Sequence, residues 1–225
     1  MNNAKPQHEK GFSLIELLIV VMLVTILSLM AYMTLGGKTL FEADNRAYAV
    51  MDVLKEAKQR AITQQETLRV EVNKTSNSIH LYNENEPGDE TDDVEIKSFN
   101  LLGSSLVNFD TPPTNIAGDP VEPTPVPMLD FKTSVYSPSA GNQVATLRFL
   151  RNGNVHDAGS NTVGDNSIVT GATIFLWMPK DTPNGPSMTE GKIIRAITVL
   201  GTSGTARYWK CTVSTADGMC STWKN

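Results

Sequence analysis

The sequence is short of the residues that bind metals and run catalysis. It holds two cysteines and three histidines in 225 positions. Only His80 and His156 fall outside the first eleven residues. Neither stands at finger-like spacing from the thiols, so a zinc site lacks its ligands. No G-x-S-x-G elbow occurs. The G-G-K-T beginning at Gly36 lacks the first glycine of a phosphate-binding loop, whose place falls at Tyr32. The chain is therefore expected not to be an enzyme and to need neither cofactor nor metal, with His80 and His156 read as surface residues. Positive charge is also scarce. The formal net charge is −5, which gives no general attraction to nucleic acid or anionic lipid. With 40% hydrophobic and 19% charged residues, the composition is globular rather than disordered or collagenous, and there is room for one modest core.

Charge is absent most conspicuously from Phe12 to Leu35, where Glu16 is the single charged residue. These twenty-four residues would span about 36 Å as a helix, against a hydrocarbon core of about 30 Å. Lys5 and Lys10 precede the run and favour a cytoplasmic N-terminus. A secretory signal has a shorter apolar region and a small-residue cleavage site, and S-L-M-A-Y-M offers a poor one. A plain single-pass anchor fits the length but leaves Glu16 unexplained, unless it snorkels to the nearby membrane surface.

The stretch G-F-S-L-I-E-L-L, Gly11 to Leu18, resembles the type IV prepilin signature shared by pilins and the pseudopilins of type II secretion. The resemblance implies that residues 1–11 are a leader, cut between Gly11 and Phe12 by a prepilin peptidase. Phe12 would become an N-methylated terminus, and 12–35 a transmembrane and assembly helix. It also implies an inner-membrane, N-in protein with an extracytoplasmic head, which then enters a pilus or pseudopilus through an inner-membrane assembly platform. Glu16 follows the new terminus by four residues, and no other cation lies within its apolar run. In a staggered bundle the amine of one subunit can approach the carboxylate of the next, so two charges that are costly alone neutralise each other.

Beyond Gly36-Gly37, a pair read as swivel, kink or loop, the helical period resumes. Leu40, Ala43, Ala47, Val50, Leu54, Ala57 and Ala61 recur at three- and four-residue steps, with Glu42, Asp44, Asp52, Lys55, Lys58 and Gln59 on the other faces. Residues 36–66 are thus expected to be an amphipathic continuation of the helix. Alternation then takes over. T-L-R-V-E-V-N sets Leu68, Val70 and Val72 on one face and Arg69 and Glu71 on the other. S-I-H-L-Y continues it with Ile79 and Leu81, across a turn at Asn73 to Asn77. Further strands are expected at Val94–Phe99, Ser105–Phe109, Val144–Leu150, Thr173–Met178, Lys192–Leu200 and Ala206–Val213. The fold class is α+β: a long N-terminal helix packed on an antiparallel sheet head of residues 67–225.

Two stretches interrupt the head. Glu84 to Glu95 carries seven acidic residues; it reads as a solvated loop, and as a calcium loop it lacks EF-hand spacing. Thr111 to Pro127 carries six prolines and reads as an extended surface insertion. Cys211 and Cys220 are close in sequence and fit a disulfide in an oxidising compartment, or a reduced pair in a cytosolic one.

The run F-L-R-N-G (Phe149 to Gly153), the strand T-I-F-L-W and R-A-I-T-V-L-G-T-S-G-T-A-R together resemble the GspH/FimT group of minor pilins and pseudopilins. Phe149, Gly153, Gly204 and Arg207 match its pattern, while Arg151 and Asn152 replace the usual proline or aspartate at the turn. The resemblance implies a non-catalytic minor pilin or pseudopilin that assembles with other pilins and initiates or caps the fibre, a major pilin being the alternative. Some FimT-like proteins take up DNA during transformation, which makes Arg207 and Lys210, with Arg195 and Lys224, candidate DNA contacts. Tyr208, Trp209 and Trp223 would be available for stacking.

Overall fold

Helical spacing and strand alternation both appear in the computed structural model of the chain. It describes residues 13–84, 93–101, 108–109, 120, 126, 128–134, 139–157, 171–177, 179–182, 185–188, 193–213 and 220–225. For 31–39, 108, 157, 179–182 and 185–188 it describes the backbone alone. The chain divides after Thr39 into two compact units. The Pro-rich insertion (apart from Pro120 and Val126) and residues 85–92 of the acidic stretch lie outside the described residues.

One helix, α1, runs Leu14–Gln64 and continues through Gly36 and Gly37. Continuous apolar and helix-forming sequence on both sides outweighs the cost of about 1 kcal/mol per glycine. Ser13 opens the helix, its carbonyl accepting from the N–H groups of Glu16 at 3.0 Å and Leu17 at 3.2 Å. At the other end Gln65 takes a left-handed φ of 57°, a C-terminal cap conformation, and its side-chain amide donates to the Ile62 carbonyl at 2.6 Å.

The head, Leu40–Asn225, contains thirteen strands among the described residues. They are β1 (Thr67–Asn73), β2 (Ser78–Glu84), β3 (Val94–Asn100), β4 (Asn108–Phe109), β5 (Lys132–Thr133), β6 (Gln143–Phe149) and β7 (Val155–Asp157). There follow β8 (Ala172–Trp177), β9 (Pro179–Thr182), β10 (Gly185–Met188), β11 (Arg195–Leu200), β12 (Thr205–Val213) and β13 (Cys220–Lys224). The expected antiparallel head is built as two antiparallel sheets and a separate β9–β10 ribbon. One sheet has the order β3-β2-β1-β6-β5, with β7 also beside β6. The other has the order β13-β12-β11-β8-β4.

Both sheets give side chains to one core on the helix. Ala43, Ala47, Val50, Leu54, Ala57 and Ala61 are fully buried, together with Leu68, Val70, Val72, Ile79 and Leu81 of the first sheet and Ile174, Leu176 and Ile197 of the second. Met51 and Val53 are buried too, which widens the helical stripe beyond the expected one. A second apolar cluster lies on the other face of the second sheet, where Phe175, Trp177, Ala196 and Trp209 pack around Cys211 and Cys220. The two cysteines are joined there by a disulfide between β12 and β13, with Cα atoms 5.5 Å apart.

Two turns meet at the C-terminal end of the helix. Gly153 and Gly204 both have left-handed φ, at 84° and 60°. A Cβ on Gly204 would come within 2.6 Å of the Gly153 carbonyl oxygen. The Val155 N–H donates to Gly201 O at 2.7 Å and completes the junction. Phe149 is buried in the core. Two turns some fifty residues apart in the chain therefore form one packed corner, and Arg207 is exposed on β12.

Candidate assembly surface

From Leu14 to Met30 the large apolar side chains of the helix are all exposed, Leu14 to 83%. Among the described residues no helix is long and apolar enough to cross a membrane, and side-chain description of this run stops at Met30. So large an apolar surface marks a lipid or protein partner. Gly11 and Phe12 lie outside the described residues. Glu16 sits in the first turn, exposed, where the partial positive charge of a helix N-terminus favours a carboxylate by about 0.3–1 kcal/mol.

In the head, the polar contacts of the second sheet with α1 gather on the Asp44 carboxylate. Asp44 Oδ1 accepts from Arg195 Nε at 2.6 Å and from the Tyr208 hydroxyl; Oδ2 accepts from Lys210 Nζ at 2.8 Å. The strand register sets Arg195 opposite Lys210, two cations that need an anion between them. Burial pushes the Asp44 carboxyl up, but the hydrogen bonds from Lys210, Tyr208 and Arg195, with the Arg195 charge, bring it down to about 2. Burial, and then the bond to Asp44, push the Tyr208 hydroxyl well above its ordinary value.

The expected DNA contacts divide on this geometry. Arg195 is buried against Asp44, and Trp209 is buried with its indole N–H donating to Thr198 Oγ1 at 2.9 Å. Neither is available to a nucleic acid: Arg195 is covered on the sheet face toward α1 and Trp209 on the opposite face, beside the disulfide. Trp223 is half-buried, tilted against Phe175 with ring centroids 5.8 Å apart. Arg207, Lys210 and Lys224 instead border a groove of about 890 Å³, together with Lys55, Tyr48 and Met51 of the helix. Tyr48 lies on Tyr208, with centroids 4.9 Å apart. Lys55 was not expected in this setting, since nothing in its local sequence ties it to β12.

The outer face of the first sheet also departs from expectation. Arg69 and Glu71 are on the face opposite Leu68 and Val70, as alternation requires, yet both are buried. Arg69 pairs with Asp93 and lies 3.3 Å from Glu84, which also accepts from Arg148 Nε at 2.8 Å. Glu84 and Asp93, expected in a solvated loop, are thus held by buried arginines. His156 is 9% exposed and His80 is largely covered, not surface residues as expected. Ser139, from the turn before β6, and Asp93 reach Glu71 and Arg69 on this face, and local alternation carries no sign of them.

The family model of the prokaryotic N-terminal methylation motif matches residues 6–32. The chain is type IV prepilin-like. The match covers Gly11, Phe12, Glu16 and the exposed apolar turns of α1, and the α+β head accords with a pilin-like fold. No curated protein and no solved structure matches the chain. A pilin-type motif points to a structural subunit, and prepilins in general meet other pilins and the prepilin peptidase.

Proposed function

We propose that this prepilin-like chain is a non-catalytic minor pilin or pseudopilin of GspH/FimT type. The peptidase cuts between Gly11 and Phe12 and methylates Phe12. The helix from Phe12 to Leu35 holds the chain in the inner membrane, N-terminus inside, until the assembly platform inserts it into a type IV pilus or type II secretion pseudopilus, which it initiates or caps. The supporting observation is the apolar run from Leu14 to Met30, exposed along its length and carrying a single charge, Glu16. A carboxylate in lipid costs about 2.5–3.5 kcal/mol. The helix terminus returns about 0.3–1 kcal/mol of that. The remainder favours pairing with the processed amine of a neighbouring subunit, and this sets the stagger of the helices. Glu16→Ala is expected to leave insertion and cleavage intact and to reduce the chain in sheared fibres severalfold on immunoblots. Wild-type incorporation of that variant would refute the pairing.

The groove beside β12 favours a second reading, a DNA-binding minor pilin in transformation. Lys55, Arg207 and Lys224 stand exposed on the groove and are the candidate phosphate contacts. Three duplex contacts predict a slope of about −2.7 in log affinity against log salt. Retention on DNA that ignores salt, or that survives Arg207→Glu, would exclude this reading.

A further inference from the structure

The register of the first sheet lines up polar residues across three strands. Glu71 of β1 faces His80 of β2, which faces Ser98 of β3; in the next row Asn73 faces Ser78, which faces Asn100. With Ser139 and Asn142 from the turn before β6, these rows line a cavity of about 300 Å³ on the sheet's outer face. Such a volume is at the lower end for ligand sites and suits a single small ring.

Two atoms in this lining lack hydrogen bonds although they are buried: Glu71 Oε1 and His80 Nδ1. The Glu71 side chain is only 4% exposed. Its other oxygen accepts from Ser139 Oγ at 3.1 Å and lies 3.8 Å from Arg69 Nη1. His80 Nε2 is joined to Ser78 Oγ at 2.8 Å, while Glu95 Oε1 is 3.5 Å from Nδ1 without hydrogen-bond geometry. Buried polar atoms are nearly always partnered, so two such atoms in one cavity point to a hydrogen-bonding occupant.

The lining defines its chemistry. Hydroxyl and amide groups dominate, and each can both donate and accept. Glu71 repels an anion. A hard cation prefers several charged oxygens, whereas here one carboxylate is already close to Arg69. We infer that the cavity binds a neutral polyhydroxylated ring, a monosaccharide or the terminal sugar of a glycan. One ligand hydroxyl would donate to Glu71 Oε1 and the others would bond to the serine and asparagine side chains. This inference is independent of whether the chain enters a filament.

The test uses the full chain in a sugar-free detergent. Saturation-transfer NMR is run with glucose, galactose, mannose, N-acetylglucosamine and N-acetylgalactosamine, and CaCl₂ is titrated separately by calorimetry. Transfer to the ring protons of at least one sugar is expected. Glu71→Gln should weaken it about tenfold or more, since a bond to a charged acceptor is lost. Ser98→Ala, on the exposed strand β3, should weaken it about threefold while near-UV circular dichroism stays native. Silence across the sugar panel with folded protein would overturn the inference. So would binding that neither variant changes, or a response to CaCl₂ alone.

Discussion

Replacing Asp44 by asparagine keeps the side chain's size and removes the charge that faces Arg195 and Lys210. A carboxyl held at about 2 instead of 3.8 is favoured in its ionised form by about 2.4 kcal/mol, at 1.36 kcal/mol per decade. Asp44 is 23% exposed, and solvent screening reduces the expected share to about 1–2 kcal/mol. The folded value lies below the unfolded one, so this stability is fully present above about pH 4. It is lost as the pH falls towards 2, where the folded carboxyl itself takes up a proton. Urea unfolding of the full chain in detergent, followed by tryptophan fluorescence, measures it, because Trp177, Trp209 and Trp223 all belong to or abut the second sheet. The comparison is wild type minus Asp44→Asn, at pH 7 and near pH 2. Subtraction matters: burial pushes Glu71 and Glu84 in the opposite direction, and their contribution cancels between the two chains. The difference should be about 1–2 kcal/mol at pH 7 and at most half of that near pH 2. A difference that is absent at pH 7, or unchanged with pH, would refute the assignment of Asp44 as the charge that joins helix and sheet.

Other substitutions test the corner and the strand ends. Gly204→Ala places a Cβ 2.6 Å from the Gly153 carbonyl oxygen in a left-handed conformation, and should destabilise the head by about 2–4 kcal/mol; a midpoint within error of wild type would contradict the packed corner. Cys211→Ser with Cys220→Ser removes a short covalent loop and should lower stability by about 2.5–3 kcal/mol. A non-reducing mass measurement on exported protein should show no free thiol. Detecting two would return the cysteines to the reduced reading.

The elements legible in the sequence are those whose signal is local and long. The helix followed from Ala43, Ala47, Val50, Leu54, Ala57 and Ala61 at regular steps, and β1, β2 and β6 from clean alternation closed by turn residues. Asn77 shows how local chemistry sufficed at a turn: it adopts a φ of 55°, which asparagine tolerates, and its side-chain oxygen accepts from the Phe109 N–H at 2.8 Å. Strands β5 and β7, two and three residues long, have no period to detect. The ribbon β9–β10 contains Pro179, Pro186 and Gly185, which read as loop. The N-terminal motif was legible because its residues are contiguous. The Asp44 cluster was not, since its partners are 151, 164 and 166 residues away in sequence.

The buried polar face lies between these extremes, and its logic can be read backwards from the register. Alternation puts Arg69 outward on β1 and Arg148 outward on β6, and pairing sets them directly opposite each other. Like charges in that position destabilise a sheet, and burial sharpens the penalty because water cannot screen them. The pair persists only if a carboxylate reaches both. Glu84, at the end of β2 and opposite Thr67, does so with a single oxygen, 2.8 Å from Arg148 and 3.3 Å from Arg69, and Asp93 takes the far side of Arg69. An acidic run that composition alone assigns to solvent thus has its two ends committed to the sheet. The rule carries over to β11 and β12, where Arg195 opposite Lys210 calls for an anion and α1 supplies Asp44. In both sheets a cross-strand cation pair locates the acid before any contact is seen, so register plus charge recovers what periodicity alone leaves out.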